Sequence, residues 1–573
     1  MKKFTLFLVA MMMSLFSFAA QPKRIYAYGL SSTLVDKVYT FSFNANETPT
    51  SGKIIFYDAT SSELVGEIAL TNPVLGKNDV EIAEYNLPGK GGQQLNWSVE
   101  LSAAAVTAYE KIYEDAASKY CRGYSNVDVS PESDHFGSVY VGDRVSNVEN
   151  SKFYVYSPVY SIVKSDGYDL GADNWGFGRF AIASDGTLWL TDYTDNHSGM
   201  FLVNPNDLTT SSQFFAGTRY VSTAPKGVIK NGDIETGSSL ACATFYGEGA
   251  NTKLVTVAED YKNKSFPVAV FNVGNADGTL KTRWETAPDI LFSTEDNAAQ
   301  NFDIKACEKG VWVAQSRSNN QNVSGAASLC FYTWDGTCKW ESHQHTDIIN
   351  GSLGGGIAIT PDEKQLIMKI EGNTIAIFDI AWNGTTPTLT KTTSFDCKYP
   401  VISSINLDYA GNIVTAAGTG SKFAGTSTPF MRLAVYSNPT NNNTCEVPAK
   451  KSDIVTRKTP RAWAYDLELT SEGDSYTFSF KAVTSADATL IFDQDGVEVG
   501  VIDCGYVSAG QNTITKTHDE LLDIIQKSGD FNWSVKMSGE AIALSGNFLT
   551  EITDANEGIY NFYLPQGVTV DNS

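Results

Sequence analysis

One set of sequence words occurs twice in this chain, far apart and in the same order. The first series is Arg24-Ile25-Tyr26-Ala27-Tyr28, Tyr39-Thr40-Phe41-Ser42-Phe43, Lys53-Ile54-Ile55-Phe56, Val65-Gly66, Gly76-Lys77-Asn78 and Asn96-Trp97-Ser98-Val99. The second is Arg461-Ala462-Trp463-Ala464-Tyr465, Tyr476-Thr477-Phe478-Ser479-Phe480, Leu490-Ile491-Phe492, Val499-Gly500, Gly510-Gln511-Asn512 and Asn532-Trp533-Ser534-Val535. Successive side chains of a strand point to opposite faces, so Tyr-Thr-Phe-Ser-Phe puts rings on one side and hydroxyls on the other. Each copy is predicted to be a small two-layered β-sandwich. Trp97 and Trp533 are expected to be buried in equivalent places between the layers. Copy two carries an added helical stretch around His518 to Ile525.

The segment between the copies, from about Asn126 to Asn443, has a weaker period. An apolar strand meets a turn and then a second apolar strand. Asn126 to Val129 pairs with Ser138 to Asp143, and Arg179 to Ser184 turns through Asp185-Gly186 into Leu188 to Asp192. Leu240 to Tyr246 leads to Lys253 to Asp260, and Phe302 to Cys307 to Val311 to Gln315. Gly356 to Thr360 leads to Gln365 to Ile370, and Ile402 to Asp408 to Asn412 to Ala416. Third strands follow at Phe153 to Tyr156, Met200 to Val203, Val268 to Phe271, Leu329 to Tyr332, Thr374 to Asp379 and Arg432 to Tyr436. Six units of roughly 45–60 residues suit propeller blades, since a four-stranded blade takes ~40–50. Aromatic residues at 12% and 47 glycines fit short strands joined by tight turns.

The repeated words resemble the immunoglobulin-like domains of the flagellar hook-capping type found in many secreted Bacteroidetes proteins. That resemblance covers the two repeats and implies fold, not activity. The run Ser184-Asp185-Gly186-Thr187-Leu188-Trp189-Leu190-Thr191-Asp192 resembles blades of NHL and SMP-type, lactonase-like propellers. The expected architecture is all-β: a six-bladed β-propeller flanked by two homologous immunoglobulin-like β-sandwich domains. The expected boundaries are a signal peptide at 1–20, the first sandwich at 21–106, the propeller at 107–450 and the second sandwich at 451–545. The tail, 546–573, corresponds to the stretch that leads from the first sandwich into the propeller. On this reading the chain ends where a second propeller would begin.

Lys2 and Lys3, the apolar run from Phe4 to Phe18 and the small residues to Ala20 form a secretory signal. Cleavage is expected near Ala19 or Ala20, giving a secreted, cell-surface or periplasmic protein. No cysteine follows the run, so no lipid anchor is expected, and no other stretch reaches the ~18 apolar residues of a membrane span. The net charge is −23, and −25 without Lys2 and Lys3. So acidic a surface repels nucleic acid and anionic membranes, and it leaves glycans or extracellular proteins as partners. The eight cysteines contain no C-x-x-C pair, which leaves a zinc site unsupported. Many are expected to act as small buried hydrophobes.

Few residue groups suggest chemistry. His343-x-His345-x-Asp347 has metal-ligand types on alternate positions, but it lies in a polar, loop-like stretch. Asp192-Tyr193-Thr194-Asp195-Asn196 and Glu295-Asp296-Asn297 are rich in the oxygen ligands calcium takes. Neither follows the D-x-[DN]-x-[DN]-G pattern, so turn-forming acids are the expectation and no cofactor is assigned. Thr333 to Trp340 is near the Asp-box of sialidases but has Thr337 where that motif has glycine. No nucleophile elbow, zinc-protease helix, P-loop or dinucleotide fingerprint is present.

The expected task is therefore binding or scaffolding without catalysis, with a glycan or protein ligand at the axial face of the propeller. A polysaccharide-active or lactonase-like enzyme and a purely structural or adhesion array are the alternatives. In each blade the first strand begins on the face where the second ends. That rule assigns Asp173, Asn174, Trp175, Arg179, Asp192, Tyr193, Arg144 and Arg317 to the ligand-binding rim, with Trp175 as a stacking platform. Glu259, Asp303 and Lys369 belong to the same rim by the same rule.

Overall fold

The computed structural model describes residues 25–537 except 36, 90–91, 117–121, 145–151, 168–178, 193–198, 217–229, 232–233, 236–238, 260–266, 285, 295–298, 319–328, 346–347, 350–354, 371, 400–401, 417–430, 440–442, 451–453, 457–463, 484 and 526–531. The signal segment and the tail 546–573 thus lie outside the described residues. The architecture is almost wholly β. Among the described residues no helix is long and apolar enough to cross a membrane.

The first repeat forms β1 (Ala27–Val35), β2 (Val38–Ala45), β3 (Ser51–Asp58), β4 (Leu64–Ala69), β5 (Gly76–Ala83) and β6 (Gln94–Ser102). One layer has the order β1-β2-β5, and the other runs β6-β3-β4. Along β2 the alternation works as expected, with Tyr39, Phe41 and Phe43 buried between the layers. Trp97 is buried against Phe41, ring centroids 4.9 Å apart and nearly perpendicular. The second layer continues past β6 with two strands from beyond the middle segment, Thr444–Pro448 and Ile454–Val455.

Those two strands correct the expected boundaries. Thr444–Pro448 falls within 107–450 and Ile454–Val455 within 451–545, yet both complete the first sandwich. Val447 and Ile454 are buried in its core. The middle segment is thus inserted into the first sandwich, which closes only when the chain returns.

Among the described residues the middle segment forms six four-stranded antiparallel sheets, five of them simple meanders, and a short two-stranded pair, Lys230–Asn231 with Ile234–Glu235. Their first strands are Arg122–Val127, Phe180–Ile182, Ser239–Tyr246, Ala299–Cys307, Ile357–Ile359 and Ser404–Leu407. All six hairpins expected from sequence are present, and each third strand pairs with the second. The first strand of each sheet touches that of the next, and the sixth returns to the first. The buried apolar clusters obey the same geometry. Phe180, Leu190 and Phe201 pack on Tyr140 and Phe153 across one boundary, while Ile112, Val414 and Leu433 pack on Val127, Val139 and Tyr156 across the last. This ring of radial sheets is a β-propeller. The sixth sheet takes its outer strand, Lys111–Ala116, from the N-terminal side, which ties the ring shut. Arg432 reinforces the closure by pairing with Asp115 at 2.6 Å and lying over the Tyr154 ring of the first sheet. At Gly356 a Cβ would come within 2.5 Å of the Ser404 and Ile405 backbone, so the close approach at the axis requires glycine.

The second repeat has layers Ala464–Glu472, Ser475–Ala482, Gly510–Thr517 and Val497–Val507, Ala486–Gln494, Asn532–Met537. The helix expected near His518 spans His518–Ile525 and buries Leu521 and Ile525. Trp533 meets Phe478 at 5.1 Å in the same edge-on geometry as its counterpart, but it is only partly buried. Equal burial of the two tryptophans, expected from the repeat, does not hold. In the first copy Trp97 is covered by the added strand Thr444–Pro448, and among the described residues no such strand flanks Asn532–Met537.

Candidate functional site

The first strands of a ring of sheets bring their inward side chains together, and here those side chains are polar and paired. The guanidinium of Arg179, just before the second sheet, reaches Asp303 of the fourth sheet at 3.0 Å and lies 4.2 Å over the Tyr124 ring of the first. Asp303 also accepts from the backbone N–H groups of Ile304 at 3.0 Å and Ile357 at 2.9 Å. Burial is the largest influence and opposes the charge on Arg179, but Asp303, with Tyr124 and Cys242 adding to it, outweighs burial and holds the guanidinium above its ordinary pKa. Lys305 donates to Asn406 at 3.1 Å, and Asn406 donates to the Ser125 carbonyl at 2.6 Å. Ser125 and Ser404 share hydroxyl and backbone contacts. The contacts link the first, second, fourth, fifth and sixth sheets and fasten them at the axis.

The structure therefore places Arg179 in the interior, about 5% exposed, rather than at the solvent surface. Asp303 and Lys369 are likewise buried, with Lys369 donating to the carbonyls of Ile370 and Gly372. Strand register brings other expected residues to one rim. Arg144 pairs with Arg122 at the start of the first sheet, Glu259 with Ser239 in the third and Arg317 with Gln300 in the fourth. Asp192 ends its strand in the same sense. The side chains of Arg144, Asp192, Glu259 and Arg317, together with Asp173, Asn174, Trp175 and Tyr193, lie outside what the structure describes. Sequence reading assigned no axial part to Tyr124, Lys305, Asn406 or the two serines. The signal lay in Asp303 and Lys305, charges two apart on a strand whose alternate residues, Ile304 and Ala306, are apolar.

The opposite end of the ring carries the hairpin turns, and the first sandwich docks there. Tyr26 meets Phe136, from the first sheet's turn, at 5.8 Å, and Phe136 meets Tyr409, from the sixth sheet's turn, at 5.0 Å. Two buried carboxylates sit in these turns. Burial raises Asp408 to about 6 although Asn412 and Tyr160 donate to it. Burial likewise raises Asp128 to about 6. Beside this junction lies a cleft of about 400 Å³, lined by Tyr28, His135, Phe136, Pro448 and Lys450 among others. Burial lowers the His135 pKa against the pull of Asp134, which itself pairs with Lys450.

The other groups singled out in sequence have local roles. His345 stacks flat on Trp340 at 5.0 Å, and His343 lies 3.6 Å from Glu341. Asp347 falls outside the described residues, among which no three metal-ligating side chains come together. In the Asp-box-like run, Asp335 caps its own turn by accepting from Thr333 and Thr337. These bonds, the Thr333 hydroxyl first, lower its pKa to about 2. Cys242, Cys307, Cys330 and Cys397 are buried thiols, and no described cysteine is in a disulfide.

No family model matches the chain, and no curated protein matches it. Among solved structures it is similar to the WD40 repeats of RRP9, at 10% identity, TM-score 0.34, covering 59% of this chain and 99% of that one. It is also similar to the Cps50 (Swd1) β-propeller domain of Myceliophteria thermophila, at 7% identity, TM-score 0.33, covering 65% and 96%. A protein from Lactobacillus plantarum is similar at 10% identity, TM-score 0.31, covering 70% and 100%. Strand order and the closed ring of contacts between first strands make the middle segment a propeller.

Proposed function

We propose that the chain is an exported binding or scaffold protein, a six-bladed propeller flanked by two immunoglobulin-like sandwiches, which holds a glycan or protein ligand at its axial rim. The observation that carries this reading is the docking of the first sandwich on the turn end of the ring. That leaves the opposite end, toward which Arg144, Asp192, Glu259 and Arg317 run, uncovered by any described part of the sandwich. The Arg179–Asp303 pair fixes the sheets beneath that rim, and a rigid base lowers the ordering cost of binding. Trp175, four residues before Arg179, is the proposed stacking platform for a sugar ring or an aromatic side chain. The proposed sandwich domains are spacers, with the signal segment directing export.

The test is a glycan and peptide binding screen of the mature chain, repeated with Trp175→Ala and Arg317→Ala. Loss of affinity in both variants, with unchanged thermal unfolding, supports the rim. A ligand indifferent to both refutes this face as its site. Turnover of any screened substrate would favour the polysaccharide-active or lactonase-like alternative. Arg179→Ala is unsuitable here, because it would leave the buried Asp303 carboxylate without its counter-charge and perturb the fold itself.

A further inference from the structure

The two sandwiches share the same strand order and the core aromatics Phe41/Phe478, Phe43/Phe480, Phe56/Phe492 and Trp97/Trp533, yet they differ at one edge. In the first, Thr444–Pro448 pairs antiparallel with β6, setting Cys445 opposite Leu101, Glu446 opposite Glu100 and Val447 opposite Val99. Val447 enters the core, and Cys445 packs against it. Ala449 donates its N–H to the Trp97 carbonyl at 2.9 Å. The result is that Trp97, Val99 and Leu101 are buried.

In the second sandwich the counterparts Trp533, Val535 and Met537 are all partly exposed, and Ser534 and Lys536 are exposed. Every position from Asn532 to Met537 is more exposed than its partner in β6. The neighbouring strand shows the same change. Tyr28 and Leu30 pack against the first core beside Val447, whereas Tyr465 and Leu467 are each 42% exposed. A strand edge with its pairing groups outward and a half-covered apolar row beneath is a template for one more strand.

We propose that the outer edge of Asn532–Met537 is a docking site for an extended peptide segment of a partner protein. That segment has the pattern apolar–acidic–apolar and adds antiparallel as Thr444–Pro448 does in the first copy. The apolar pair would cover Trp533, Val535 and Met537, and main-chain hydrogen bonds would supply the affinity, as in other strand additions. Charge decides the middle residue. Lys536 stands where β6 has Glu100, directly opposite the acidic position of the incoming strand, and it makes no ion pair among the described residues. The first copy engages Glu446 through Ser98 at 2.5 Å and Tyr57 at 2.7 Å. The second keeps the hydroxyl as Ser534. It has Asp493 in place of Tyr57, and Asp493 accepts from Gly496 N–H and Asn532. Lys536 therefore supplies the attraction for an acid that Tyr57 supplies in the first copy.

The probe is a labelled peptide of residues 443–450 carrying Cys445→Val, titrated into the mature full chain and followed by anisotropy and hydrogen-exchange mass spectrometry. Saturable binding that slows exchange at 532–537 and leaves 94–102 unchanged is expected. A Glu446→Lys peptide should bind about threefold to tenfold more weakly, since cross-strand charge pairs are worth up to ~1 kcal/mol each way. It should regain affinity on a Lys536→Glu chain. Absence of binding overturns the proposal. So does protection appearing only at 94–102, or 532–537 being as protected in the free chain as 94–102, which would mean the edge is already filled by this chain.

Discussion

Replacing Asp303 by Asn keeps the shape of the side chain and removes the counter-charge of Arg179. The two groups are 3.0 Å apart with side chains about 6% and 5% exposed. At an effective dielectric constant of ~20 their attraction is about 5 kcal/mol, and the amide oxygen recovers part of that as a hydrogen bond. The Tyr124 ring still faces the guanidinium, so the expected loss is about 3–5 kcal/mol, the usual cost of leaving one charge of a buried pair. Arg179→Met leaves Asp303 with the Ile304 and Ile357 donors and should cost less. The double variant should cost less than the sum, with a coupling of about 1–3 kcal/mol. Differential scanning calorimetry reads this directly. The propeller transition should fall by about 5–10 °C in Asp303→Asn, and the second sandwich, with its own core, serves as an internal reference. Additive single effects, or a transition that stays within about a degree of wild type, would show that the pair does not hold the axis.

Three further outcomes follow from the same geometry. Asp128 and Asp408 have folded pKa values of about 6, above the unfolded ~3.9, so the folded state binds more protons between those values and loses stability as pH rises through that window, by about 2–3 kcal/mol each. Urea unfolding at pH 4.5 and 7.5 should show the difference, Asp408→Asn should reduce it, and a pH-independent midpoint would refute it. Trp97→Ala should cost ~3–5 kcal/mol and Trp533→Ala clearly less, because only the first is fully covered; equal losses would contradict the exposure difference. Val447→Asp should destabilise the first sandwich, not the propeller's own hairpins, as read by hydrogen exchange at 94–102 against 188–192; unchanged exchange at 94–102 would refute the assignment of that strand.

Local pattern decided much of this molecule. Tyr39-Thr40-Phe41 alternates because a strand has a two-residue period, and each propeller hairpin joins strands close in sequence, so both were legible from residues alone. The helix His518–Ile525 was legible for the same reason. Distant pairings were not. Thr444–Pro448 alternates over only five residues, too few to mark it as part of a distant sandwich, and becomes a sandwich strand only because the inserted ring returns it beside β6. The partial exposure of Trp533 follows from the same non-local fact, since its sequence context repeats that of Trp97. At the axis the sequence showed Arg179 and Asp303 as rim charges, as strand ends imply. Only the closure of six sheets brings residues 124 positions apart to 3.0 Å and turns them into an interior ion pair, because sequence fixes which way a side chain points along its strand and tertiary structure fixes what it meets.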